Sequence, residues 1–474
     1  MTTVTFSERL AEAAGPIVVK EVRQGLRAKV FAIFFGLLLL GCLVVALVAA
    51  AEFDRSRSVD LGPDYFRLFL GALAIVEYFV IPYMAFRAMA REREDETWVL
   101  LVLTGLGARR IVRGKVSSAL AQGLLYASAC APFVLFSYYL NGIDLPTVLV
   151  ALVMAAAWSC LLVCVGVGAA TQAHSRLGRA LVHFVVLAVL LGGTAAGIAF
   201  SAFFAEEGGR LLREQVGFRV FCVAHVAFCV TTAWVASEGA ASGLALLSEN
   251  AAKGPRLALS LQVLLATVVA GISAVVVDHG DKVASSVGSV GSALYLCLAG
   301  LFAVSEHDGF PPAFARTRRW FKPGALRSFT MLVLLLMSST AVWFAIYVAF
   351  SGGREAKYER IVLAPPLFVV LYLSLGVLLG RLTPLRGLGE PIATRTGFAL
   401  AVVLGTAVPM FLSVMTGHHA EYKELNVLSP LLGIASINGG ARGERVMILA
   451  GVSALLFGFL AYTTLSSRDV ERRS

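Results

Sequence analysis

Twelve long, almost uncharged apolar runs dominate this chain, near residues 30–51, 68–86, 116–139, 146–171, 180–204, 220–247, 257–277, 284–304, 328–350, 361–380, 396–416 and 446–464. A soluble domain does not sustain runs of about 18 apolar residues or more. At about 1.5 Å per residue, such runs reach across a hydrocarbon layer about 30 Å thick, the shorter ones with some local thinning. Lipid offers the backbone no hydrogen-bonding partner, so a spanning segment has to satisfy its own N–H and C=O groups as a helix. The fold class that follows is an all-α, polytopic membrane protein with about twelve transmembrane helices. Composition agrees: 58% of the residues are apolar and 15% are charged, where soluble domains carry about a quarter charged.

The loops set the orientation. With the N-terminus inside and twelve crossings, the inner segments hold 27 of the 40 Lys and Arg residues, as the positive-inside rule requires. Residues 87–115 hold seven of them, whereas the opposite loop "LNGIDLP" holds none. The basic residues near Arg354–Arg360 and Arg442–Arg445 fall on the outer side and run against the trend. The expected location is a cell (inner or plasma) membrane, multi-pass, with both termini cytoplasmic. The net charge of +10 is therefore a topology signal. No loop is large enough to build the folded basic face that a nucleic acid would need.

The N-terminal segment predicts an amphipathic helix at the inner membrane surface. After Gly15-Pro16, the apolar residues Ile17, Val18, Val22, Leu26 and Val30 recur at helical spacing, with Lys20, Arg23, Arg27 and Lys29 opposite. That pattern suits an anionic headgroup layer. The first apolar run, with 29 residues before it and 22 within it, exceeds the usual core of a cleaved signal and reads as a retained span. All seven cysteines sit in apolar runs; the spacing of Cys160 and Cys164 puts them on one helix face, where small apolar packing is expected rather than a metal or a disulfide. The segment 417–445 contains "LNVLSPLLGIASI", apolar but too short to cross, which suggests a helix dipping into the outer half of the membrane.

Between the second and third spans lies the most polar strip of the chain, residues 87–115, with eleven charged residues. The pattern predicts a helix continuing from the second span to about Thr104, a break at "TGLG", and a return through "ARRIVRGK" into the third span. Trp98, Val99, Leu101, Leu103 and Ile111 give the hairpin an apolar edge, the kind of surface that docks into a groove of another protein. This strip resembles the cytoplasmic coupling segment of ABC-2 type transporter permeases. The resemblance rests on Glu92-Arg93-Glu94, Thr97, Leu100-Leu101, Thr104-Gly105-Leu106, Ile111 and Gly114-Lys115. "GPIVVKEVRQGLRAKVF" is similar to the surface helix before their first span, and "LLSENAAKGPRL" and "LNVLSPL" to two weaker family patterns. The family usually has Gly just before the Thr, where this chain has Glu96.

The resemblance implies a membrane permease subunit of an ATP-driven exporter, working as a homo- or hetero-dimer of permeases in the lipid bilayer with separate ABC ATP-binding subunits. Glu92, Arg93 and Glu94 would be docking charges. Arg109, Arg110 and Arg113 would meet acidic groups of the partner or lipid phosphates, and Lys115 would anchor the third span at the headgroups. ATP and Mg would belong to the partner. The implied division is residues 1–29 as the cytoplasmic N-terminal segment, 30–256 as a six-helix permease core, and 257–474 as a second set of six. An inner loop, 305–328, again lies between the second and third spans of that second set, as an internal duplication would leave it, although the two loops share no matching residues.

This chain carries no phosphate loop. In "ARRIVRGKV", Gly114-Lys115 is followed by Val116 instead of Ser or Thr, and Arg109 stands where the leading Gly belongs. No residue set for enzyme catalysis is apparent. Charge inside lipid is expensive, and only Glu77 and Glu238, with His183 and His225, interrupt the apolar runs. Glu77 would either line a substrate path or hold two helices through a neighbouring hydroxyl. His418, His419 and Glu421 are too crowded in a polar loop to form a metal site on their own. Sparse charge suits a hydrophobic or amphipathic substrate. Two other classes remain open at this level, a twelve-helix secondary transporter and a non-transporting membrane scaffold or assembly protein.

Overall fold

The computed structural model describes residues 18–55, 60–95, 107–172, 176–245, 250–276, 282–304, 321–350, 353, 355–382, 390–416, 433 and 440–471. Among them every regular element is helical, and twelve helices are long and apolar enough to cross a membrane. A short helix over residues 18–26 (α1) precedes α2 (Lys29–Arg55), α3 (Gly62–Glu94) and α4 (Ala108–Tyr139). Then come α5 (Leu145–Ala170), α6 (Arg176–Phe203, continued through Phe204–Gly208 and Gly209–Glu214) and α7 (Val216–Leu244). The remaining six are α8 (Lys253–Val276), α9 (Lys282–Val304), α10 (Ala325–Phe350), α11 (Ala356–Leu379), α12 (Glu390–Thr416) and α13 (Gly440–Glu471). All twelve expected spans coincide with these helices.

The helices form two compact units, Met1–Leu246 and Leu247–Ser474.

In the first unit α3 and α5 are the inner helices, with 61% and 56% of their most apolar window buried, against 17% for α2 and for α7. The core they share contains Phe66, Phe69, Tyr126, Val134, Met154 and Val163. α2 packs on α4 through Phe31 and Phe35, which sit edge-on to Tyr126; the Tyr126 hydroxyl donates to the Phe31 carbonyl at 2.9 Å. The opposite side of α2 exposes Ile33, Leu37, Leu40 and Leu47. A continuous apolar face of that kind is soluble only against lipid.

The turn between α4 and α5 is built for reversal. Asn141 and Gly142 take positive φ (64° and 87°), and a Cβ on Gly142 would lie 2.8 Å from the Asp60 side chain and 2.9 Å from that of Pro63. Only glycine meets both demands. Asp144 then caps α5 by accepting from the Thr147 N–H at 3.3 Å, with Pro146 in the first turn. The start of α3 docks on the same turn: Gly62 N–H donates to Asn141 O at 2.8 Å, and Leu61 N–H to Leu140 O at 3.3 Å.

In the second unit α11 is the inner helix, 67% buried, presenting Phe368, Leu371, Tyr372 and Leu373 to its neighbours. α12 approaches it backbone to backbone: a Cβ on Gly397 would fall 2.7 Å from the Gly376 carbonyl oxygen. Small residues permit such contacts where the solvent is as apolar as the side chains. The seven cysteines are free thiols.

Candidate functional site

The charged strip between the second and third spans is anchored by its two flanks. α3 continues to Glu94, with Asp95 as its C-cap residue, and α4 restarts at Ala108, so that "ARRIVRGK" forms the first turns of the third span. Thr97, Thr104 and Gly105, together with the expected break at "TGLG" up to Leu106, lie outside the described residues.

Lys115 is the centre of what remains. Its side chain is 6% exposed, and Nζ lies 2.6 Å from Glu92 Oε1 and 3.0 Å from Glu21 Oε1. Both carboxylates are themselves largely buried, at 18% and 14% exposed. One ammonium with three donors thus joins α1, α3 and α4. The headgroup anchor expected of Lys115 is not what this geometry provides: the side chain turns into the protein. Gly114, next to it, is also buried.

Two further contacts reach the end of α7. Arg109 Nε donates to Glu238 Oε2 at 2.9 Å, joining the start of α4 to α7. Glu238 is 9% exposed. Arg93 Nη1 donates to the Gly243 carbonyl at 3.3 Å, placing a cation at the C-terminal end of the α7 dipole. The strip's charges therefore divide into two groups. Glu92, Arg93 and Lys115 face other helices, and Arg109 spans both environments with its side chain 55% exposed. Glu94, Arg110 and Arg113 are exposed.

Sequence reasoning missed Glu21. A signal was present: Val18, Glu21, Val22 and Gly25 follow helical spacing, which puts a carboxylate on the apolar stripe of α1. A charge in that position needs a partner. Gly25 completes the contact, because a Cβ there would meet the Gln122 side chain of α4.

Glu77 lies apart, in a π-helical turn of α3 (Val76–Val80), 9% exposed. Ser159 of α5 donates its hydroxyl to Glu77 Oε2 at 2.6 Å and also approaches the Glu77 carbonyl at 3.3 Å. Gly123 of α4 faces the carboxyl so closely that a Cβ would sit 2.8 Å from Oε2. Among the described residues Glu77 Oε1 has no hydrogen-bonding partner. Of the two roles anticipated, this geometry carries the helix-to-helix contact. His183 meets the Tyr83 hydroxyl at 3.1 Å and packs edge-on to Phe86, while His225 stacks on Trp158. Both are partnered and half-buried.

Among the described residues no group of His, Cys, Asp and Glu is arranged to hold a metal; His418, His419 and Glu421 lie outside them, as does most of the segment 417–445. Comparison of the chain with protein-family models, curated proteins and solved structures returns no match.

Proposed function

We propose that this chain is the membrane-spanning permease subunit of an ATP-driven exporter of ABC-2 type, moving a hydrophobic or amphipathic substrate and powered by a separate ATP-binding subunit. The observation that carries this reading is the double character of the strip between α3 and α4. Its inward charges are held by a buried ion pair to α1 and a half-exposed one to α7, while Glu94, Arg110 and Arg113 are exposed for a partner. A push on the strip is then transmitted to two other helices at once, α1 and α7, rather than absorbed by a loose loop. Packed, bistable contacts of this kind amplify small displacements into rigid-body rocking.

The resemblance of the strip and of α1 to family segments supports the same assignment. So does the state of Lys115. A phosphate loop presents its lysine at the N-terminal end of a helix, free to reach phosphate. Lys115 lies two turns inside α4 with two carboxylates on its ammonium. In this reading ATP and Mg belong to the partner, which docks from the cytoplasm with both termini of this chain on that side of a cell membrane.

The test is affinity purification of the full chain from mild detergent, with co-purifying chains identified by mass spectrometry. The control carries Arg110→Glu and Arg113→Glu, both exposed and away from the Lys115 ion pairs. An ATP-binding subunit that comes down with the native chain and falls about tenfold or more with the control is the expected result. If none accompanies the native chain while it remains folded, the exporter assignment fails.

A further inference from the structure

Each unit, described by itself, follows one plan. Numbering the spans within each unit, the first (α2, α8) packs on the third (α4, α10). The second packs on the third, fourth and fifth; the third on the fourth and sixth; and the fourth on the fifth and sixth. Contacts between consecutive helices follow from short connections alone. The skipping contacts do not: first on third, second on fourth and fifth, third on sixth, fourth on sixth. These recur in both units. The fourth helix is central in each, with 56% of the α5 window and 67% of the α11 window buried.

Polar ties also connect corresponding parts of each unit, in different chemistry and at different heights along the helices. Near the start of the third helix, the first unit uses Lys115 with Glu21 of α1, the short helix that precedes the first span. The second uses Arg256, 1% exposed, which donates to Lys322 O at 2.6 Å, Gly324 O at 3.1 Å and Ser328 Oγ at 2.6 Å. Between second and fourth helices, Ser159 reaches the Glu77 carbonyl in one unit, and Ser289 donates to the Val362 carbonyl at 2.6 Å in the other. Where the second helix begins, it is tied to the connection between third and fourth. In the first unit Gly62 N–H donates to Asn141 O; in the second, Lys282 Nζ meets Glu355 Oε1 at 2.5 Å.

We infer that the chain is an internal duplication: two copies of one six-helix unit, so that a single chain supplies both halves of the permease. Matching placement with unmatched residues is what a duplication leaves in a membrane protein, because apolar residues exchange freely where the only demand is lipid or helix contact. Six is even, so the chain enters each set of six helices from the same side of the membrane. A single chain then accepts two ATP-binding subunits, one per copy. The repeat rests on the helix pairings and ties; its description as two permease halves rests on the function proposed above.

The experiment counts chains. The full chain, carrying one fluorophore, is extracted directly into polymer nanodiscs; bleaching steps are counted per particle and the mass of the intact complex is measured. One step, with a mass of one chain plus two ATP-binding subunits, is the expected result. Two steps in most particles, or a mass requiring two copies of this chain for two ATP-binding subunits, overturn the inference. One step with no ATP-binding subunit leaves the self-contained pair standing and removes the exporter assignment instead, so the two failures are told apart.

Discussion

Replacing Lys115 with Met would leave Glu21 and Glu92 facing each other without their shared cation. Removing one partner of a buried ion pair costs about 3–5 kcal/mol, since the remaining charge stays buried and uncompensated. Arg110→Ala, at an exposed position of the same helix, is expected to change stability by no more than about 0.5 kcal/mol. Unfolding of the two variants in one detergent, set against the native chain, checks this, and equal stabilities would mean that the triad holds nothing together. How far such residues could be read from sequence depended on what each faces. The strip was visible as a charge run in an apolar chain, but charge alone does not separate Glu92, turned towards Lys115, from Glu94, turned outwards. They sit two apart on one helix, about 200° around it, and only the positions of α1 and α4 decide which is inside.

At the scale of elements, the spans were the most legible part. Each had to be a helix because lipid leaves the backbone no alternative, and every predicted run coincides with one to within three residues at its C-terminal end. The ends were less so. The second span read as 68–86 but the helix runs from Gly62 to Glu94, because polar first and last turns that leave the apolar layer remain helical without contributing to hydropathy. The π-helical turn at Val76–Val80 leaves no mark on apolarity at all. The α4–α5 turn gives a prediction of its own. Gly142→Ala forces a side chain into positive φ and against Asp60 and Pro63, so a loss of roughly 1–3 kcal/mol is expected. Asn141→Gly, which keeps the turn and relieves its strain, is expected to be close to neutral. A thermal shift of similar size in both variants would refute the account of the turn.

For the whole molecule, parity makes a prediction that no single helix does. In a cysteine-free background, single cysteines at Asp95 and at Lys322 are expected to react with a membrane-impermeant maleimide from the same face, and a cysteine at Asn141 from the opposite one. Labelling of Asp95 and Lys322 from opposite faces would mean that the number of crossings between them is odd, against the helices described here. The contact near the start of the third helix of each set also has a meaning in time. Glu21 leaves the ribosome well before Lys115, and at about 5–20 residues per second several seconds pass before its cation exists. Arg256 waits in the same way for Ser328. Each half of the chain therefore stays open at that end through two insertions and closes only on the third, which makes the third helix of each set the one whose arrival commits the nascent chain to its final arrangement.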